Sequence, residues 1–276
     1  VFLRFGAIPL PKIKEIDMKK IGFVLCALTA VCLFALPLPI SAEEPPNPTA
    51  TMKVYDKYIS NDMAQRFYNK PVIQSDICVY LPGGFSFDFW YSAGFNSALD
   101  GDFDDEADYT LTWDGCISWA NLTTELQYWD LHHEVMSLGS EDGFSFRVRV
   151  AGPKISVGRF HYISLGLAPY VEQKFVQMLD GSSSGDGSLS FAGLLVSCND
   201  KPDLSLSINS DVAVGYDDGA FGNSSAGILR VKYAWVWNFG GQMSVVFPEI
   251  IGSQPFGNND EREREIMAGG GLSYQF

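Results

Sequence analysis

The chain has 276 residues, and its 33 acidic side chains outnumber 19 basic ones to give a formal charge of -14. An acidic balance with no basic cluster excludes nucleic acid as a natural partner. Aromatic residues make up 14% of the chain and there are 27 glycines, totals that fit either a secreted enzyme or a membrane-strand protein. The pattern along the chain separates the two.

Residues 1–17 precede Met18 and read as an over-extended start. Residues 18–42 begin Met18-Lys19-Lys20, continue as an apolar stretch from Ile21 to Ile40 and end Ser41-Ala42. A positive start, an apolar run and a small residue before the cut are the parts of a secretory signal peptide. Pro37 and Pro39 break the end of the run, which disfavours a regular membrane helix. Residues 43–276 then form the mature protein, with 14 basic against 31 acidic side chains. No further apolar stretch is long enough for a membrane helix.

Alternation dominates the rest. Phe85, Phe87, Phe89 and Tyr91 alternate with Ser86, Asp88, Trp90 and Ser92. Phe144, Phe146, Val148 and Val150 alternate with Ser145, Arg147, Arg149 and Ala151. Leu206, Ile208, Val212 and Val214 alternate with polar or small residues, as do Val231, Tyr233, Trp235 and Trp237. Successive strand side chains point to opposite faces, and several runs reach the 9–11 residues a tilted membrane strand needs. The pattern predicts strands over 52–59, 71–81, 85–95, 106–114, 116–129, 143–151, 157–172, 188–198, 203–216, 226–239, 242–251 and 266–276. Short turns are expected at Pro82-Gly83-Gly84, Asp114-Gly115, Gly152-Pro153, 199–202 and Gly240-Gly241, and longer polar links between the other neighbours. Short turns alternating with long loops is the connectivity of an outer-membrane barrel. The fold class is therefore all-β: an antiparallel transmembrane β-barrel of about 12 strands, with 10 to 14 open.

The same alternation sorts side chains between lipid and lumen. The apolar and aromatic set faces lipid. Asp76, Asp88, Glu125, Arg147, Arg149, Asp211, Arg230 and Lys232 face inward, four acidic and four basic, which implies a balanced wall with weak ion selectivity. An unbroken antiparallel pairing across the loop at 217–226 gives facing positions that sum to about 443, setting Asp211 opposite Lys232. The loop at 130–142 similarly sets Glu125 near Arg147 or Arg149. Such cross-strand pairs contribute about 0.2–1 kcal/mol each.

The chain ends on Leu272, Tyr274 and Phe276, spaced on one face of the last strand. A terminal aromatic on such a strand resembles the signal read by barrel assembly machinery. Asp100, Asp102, Asp104 and Glu106 crowd one loop and are weak candidates for a divalent cation, since hard cations prefer oxygen clusters; a solvated acidic loop reads equally well. His132 and His133 stand between Asp130 and Glu134, and an Asp–His pair can activate water. A polar loop has the same composition, and no Gly-x-Ser-x-Gly elbow accompanies it. Cys78, Cys116 and Cys198 remain in the mature chain and are expected to stay unbridged. No cofactor is expected.

Val54-Tyr55-Asp56-Lys57-Tyr58, Lys70-Pro71-Val72-Ile73-Gln74, Leu81-Pro82-Gly83-Gly84-Phe85 and the acidic run Asp104 to Tyr109 resemble the TorF-type family of small proteobacterial porins. The resemblance covers about the first third of the mature chain, and Arg66-Phe67-Tyr68 stands where that family usually carries an Arg-Gly pair. It implies a small outer-membrane barrel and carries over no site residue. The function expected is passive diffusion of small polar solutes, in contact with outer-membrane lipid and lipopolysaccharide. A structural or adhesive barrel with a blocked lumen is the alternative, and a hydrolase using His132 and His133 a third. The sequence leaves the oligomeric state open.

Overall fold

The structure, a computed structural model, describes residues 45–95, 106–131, 142–160, 163–179, 185–199, 206–220, 225–257 and 262–276. The expected over-extended start at 1–17 and the expected signal segment at 18–42 lie outside these residues, as do Asp100, Asp102, Asp104, His132 and His133.

The strands are β1 (Thr49–Tyr55), β2 (Tyr58–Ser60), β3 (Gln65–Tyr68), β4 (Val72–Leu81), β5 (Phe85–Gly94), β6 (Glu106–Ile117), β7 (Ala120–Leu131) and β8 (Gly143–Ala151). They continue as β9 (Ile155–Phe160), β10 (Ile163–Met178), β11 (Gly187–Asn199), β12 (Leu206–Asp218), β13 (Ala226–Phe239), β14 (Met243–Phe256) and β15 (Glu265–Gln275). Each pairs antiparallel with its neighbour in the wall, β1 closes on β15, and β10 joins β8 to β11. The result is a closed 12-strand barrel in which β9 continues β8 and β2–β3 stand apart as a separate hairpin. The two termini of the wall and the short turns share one rim, called lower here; the long links share the upper rim.

Glycines at positive φ make two of the lower turns: Gly83 and Gly84 at +83° and +81°, and Gly240 and Gly241 at +62° and +81°. That left-handed region excludes most side chains but not glycine. Three expected boundaries move. The β6–β7 turn lies at Ser118-Trp119 rather than Asp114-Gly115, with Ser118 at φ 57°. Gly115 is a strand residue lying under the Trp113 indole, where a Cβ would collide with the ring. Gly152 and Pro153 only interrupt a descending strand; the chain reverses between Phe160 and Ile163, and β10 runs on to Met178. β14 continues to Phe256, beyond the expected end at 251, because Pro248 is absorbed where the register with β15 shifts between Val246 and Glu249. The expected strand at 52–59 is two elements, β1 and β2.

The outside of the barrel is apolar. Among the described residues 27 large hydrophobic side chains are exposed, including Met52, Ile77, Phe87, Val212, Val214 and Leu272. Leaving each in water forgoes about 1.5–3 kcal/mol, a sum of tens of kcal/mol that a water-soluble barrel would not carry. Among the described residues no helix is long and apolar enough to cross a membrane; the apolar outer surface is carried by the strands of the closed barrel. Aromatic rings concentrate at two levels. Phe89, Tyr109, Tyr128 and Phe144 form a row around β5–β8 with centroids 5.1–6.0 Å apart. Trp235 and Trp237 lie near the lower end of β13, and Tyr274 packs edge-on against Phe276 at 5.3 Å near the chain end. Amphipathic rings favour the two membrane interfaces.

Candidate functional site

The β2–β3 hairpin gives the lumen its shape. It grows from the first upper link and folds inward instead of outward. Tyr58 donates to Glu106 Oε2 at 2.6 Å on β6, and Asn61 Nδ2 donates to the Gly252 carbonyl at 2.8 Å on β14. Lys57 and Arg66 both reach Glu265 on β15, at 3.3 and 3.4 Å. Arg262 donates to the Met63 carbonyl at 2.8 Å and to Asp217 Oδ2 at 2.7 Å. At the tip, Met63 and Ala64 are buried in a cluster with Trp129, Tyr170, Val176, Leu189, Phe191 and Ile228. The hairpin thus spans from the β1–β4 side to the β10–β13 side.

Beneath the tip lies a charge network. Asp62 Oδ1 accepts from Arg230 Nη1 at 2.5 Å, and Asp62 Oδ2 stands 3.9 Å from Lys174 Nζ. Arg230, only 1% exposed, also donates to Glu172 Oε1 at 3.1 Å and to the Tyr170 hydroxyl at 2.8 Å, with its guanidinium 4.2 Å from the Phe191 ring centroid. Tyr170 lies over Gly193, where a Cβ would collide with its ring, and donates to Asp211 Oδ1 at 2.6 Å. Arg149 donates from Nε to Glu172 Oε2 at 2.7 Å, and Arg147 pairs with Glu125. Burial alone would raise the Asp62 carboxyl, but Arg230, with Lys174, Lys232 and Arg147 behind it, holds it well below the usual carboxylate range.

All eight inward residues read from the alternation lie on the lumen face of the wall by the strand register. Asp211 and Lys232 are backbone partners, as the sum of 443 requires. Their side chains do not form the expected pair. The Asp211 carboxylate is taken by Tyr170 and by Arg230 at 3.7 Å, and no ion pair within 4 Å joins it to Lys232 among the described residues. Arg149 turns to Glu172 rather than Glu125, because Glu172 faces it directly in the β8–β10 register.

Several lumen residues escape the sequence pattern. Asp62 sits in a loop with no periodicity. Glu172 and Lys174 lie at and beyond the expected end of a strand that in fact continues. Glu106 and Asp108 open the strand expected at 106–114 but were not named among the inward residues; in β6 both are buried and face inward. The continuing alternation Glu172-Gln173-Lys174 was the available signal. Glu249, which accepts from Lys53 at 3.2 Å and from Tyr55 at 2.6 Å, was hidden by the shift at Pro248. Of the four cation candidates only Glu106 is described, and its carboxylate is engaged by Tyr58. Among the described residues no group of three metal-ligating side chains converges. Leu272, Tyr274 and Phe276 are exposed on the outer face, and the Phe276 amide donates to the Pro48 carbonyl at 3.0 Å.

The hairpin leaves room on the β6–β7–β10 side. A cavity of about 330 Å³ lies between it and the β6–β7–β10 wall, lined by Tyr58, Phe67, Glu106, Asp108, Gln127 and Trp129 among others. A second, of about 390 Å³, lies lower against β4–β8, lined by Cys78, Asp88, Asp108, Glu125, Gln127 and Arg147 among others. Asp108 and Gln127 line both.

No protein-family model matches the sequence, and no curated protein matches it at a significant level. Solved structures with a similar backbone include the KdgM porin, 8% identical over 83% of this chain and 99% of that one, with a TM-score of 0.49. LpxR from Salmonella typhimurium is 10% identical over 83% and 100% of the two chains, with a TM-score of 0.48. An outer membrane channel from Pseudomonas putida F1 is 13% identical over 87% and 100%, with a TM-score of 0.45.

Proposed function

We propose that the protein is an outer-membrane channel through which small polar solutes diffuse passively along a narrow lumen of mixed charge. The carrying observation is that two lumen cavities share Asp108 and Gln127 in their linings, and we read them as one polar lane past the hairpin on the β4–β8 side. A twelve-strand barrel lies between the small filled barrels and the wide aqueous porins, and a hairpin folded into the lumen narrows such a bore to a lane. The resemblance of the first hairpins to TorF-type small porins supports the same reading. In this reading residues 18–42 direct export, assembly machinery reads Leu272, Tyr274 and Phe276, and the apolar belt faces lipid and lipopolysaccharide. Purified protein in planar bilayers is expected to give discrete conductance steps. The hairpin's span across the lumen favours one competing reading, a sealed barrel whose loops carry the function; bilayers that stay silent at high protein density would establish it and sink the channel.

A further inference from the structure

We infer that the lane passes cations in preference to anions, with Asp88, Glu106 and Asp108 as the selecting residues. This rests on the channel reading.

The positive charges of the lumen are not distributed like the negative ones. Arg230 is sealed beneath the hairpin on Asp62 and Glu172, and Arg149 is locked on Glu172. Neither lines either cavity. Two cations do reach the lane, and both are held: Arg147 by Glu125, and Lys174 by Gln127 at 3.4 Å and Asp62 at 3.9 Å. The carboxylates of β5 and β6 have no such partners across the wall. Asp88 stands between Cys78 and Thr110 in the register, Asp108 between Trp90 and Trp129, and Glu106 opposite Ser92 on β5. The residues lining the two cavities therefore include four carboxylates (Asp88, Glu106, Asp108 and Glu125) against two cations.

A second observation points the same way. Asp108 is 8% exposed, lines both cavities, and has one oxygen, Oδ2, taken by Gln127 at 2.7 Å. Its other oxygen, Oδ1, is buried without a hydrogen-bond partner. A buried carboxylate oxygen with no donor costs free energy that a passing cation offsets. Tyr58, Phe67 and Trp129 line the upper cavity beside Lys174, and aromatic rings attract cations at their faces. Low-dielectric walls bearing one uncompensated sign concentrate counter-ions. Of the eight inward positions read from the sequence, Asp88, Glu125 and Arg147 line the lane; Arg147 is paired with Glu125, so the lane's charge without a cationic partner lies on Asp88 together with Glu106 and Asp108.

The test is the reversal potential of the full-length protein in a tenfold potassium chloride gradient. The expected sign is that of potassium permeation, with a permeability ratio over chloride of roughly fivefold or more. Asp88→Asn combined with Asp108→Asn is expected to bring the ratio close to one while steps persist. A ratio near one or favouring chloride in the unaltered protein, or an unchanged ratio in the double variant, overturns the inference and leaves the channel standing. Silence of the unaltered protein sinks the channel instead, and a second measurement then decides the charge of the lane. Cys78 lines the lower cavity. With every other cysteine changed to serine, a cationic methanethiosulfonate should label Cys78 several times faster than an anionic one of similar size. Equal rates, or faster labelling by the anion, overturn the inference whatever the bilayers show.

Discussion

Replacing Asp62 with alanine should loosen the hairpin from the wall while leaving the barrel intact. Breaking a buried ion pair from one side costs about 3–5 kcal/mol when the remaining charge is stranded. Here Arg230 keeps Glu172 at 3.1 Å and the Tyr170 hydroxyl at 2.8 Å, and the Asp62 side chain is 19% exposed, so less is lost. The contact to Lys174 at 3.9 Å adds little. A cost of about 1–2 kcal/mol follows, which multiplies the undocked population roughly tenfold, since 1.4 kcal/mol is a factor of ten. Undocking frees the chain around Lys57 and Arg66 from Glu265. Trypsin added at the upper face should then cut there about ten times faster, in proportion to the open population. Cleavage and conductance both unchanged would refute the argument that Asp62 pins the hairpin. Acid provides a check on the sign. The carboxyl is held below its ordinary value, so its contribution is fully present above that ordinary value and fades only as pH falls through the lower, folded one. Moving from pH 7 to about pH 5 should leave cleavage in the unaltered protein unchanged; acceleration over that range would mean that Asp62 is not held by its cations.

Val212 is exposed on the outer face at the middle of β12, whereas Ile208 lies near the lower end of that strand. Val212→Arg should therefore cost about 2–4 kcal/mol in a folding titration and Ile208→Arg about 1 kcal/mol or less, following membrane depth; equal costs would contradict the placement. Arg230→Met leaves Asp62 without its closest cation and Glu172 with Arg149 alone, a loss of about 3 kcal/mol to be read in the same titration, and an unchanged midpoint would contradict it. Deleting Phe276 is expected to reduce the heat-modifiable folded form in outer membranes, and unchanged assembly would remove the terminal aromatic from any recognition role.

The register of β12 and β13 was legible because the link between them adds no irregularity: from Leu206↔Trp237 to Asp217↔Ala226 every pair keeps one sum. Alternation assigns residues to one face or the other, and a register with no slip keeps that assignment along the pair. Turn residues misled where glycine serves packing instead of reversal, as Gly115 does beneath Trp113. Proline misled at Pro153, where a strand is interrupted and resumes. The hairpin was illegible for a different reason. Strands of three and four residues are too short for a period to show. What fixes them is a set of contacts to strands more than 160 residues away, such as Asp62 to Arg230, that no local pattern encodes.

Those separations also order events in time. The hairpin is translated between β1 and β4, but its anchors at Arg230, Gly252 and Arg262 lie 168, 191 and 199 residues further on from their partners Asp62, Asn61 and Met63. Contacts across so long a loop give no return until its ends are brought together, and the ends meet only when β15 pairs with β1. A chain arrested before its last three strands would keep the Tyr58 bond to Glu106 and the tip's packing on β7, β10 and β11 but lack Arg230, Gly252, Arg262 and Glu265, so the bore takes its final calibre late in maturation.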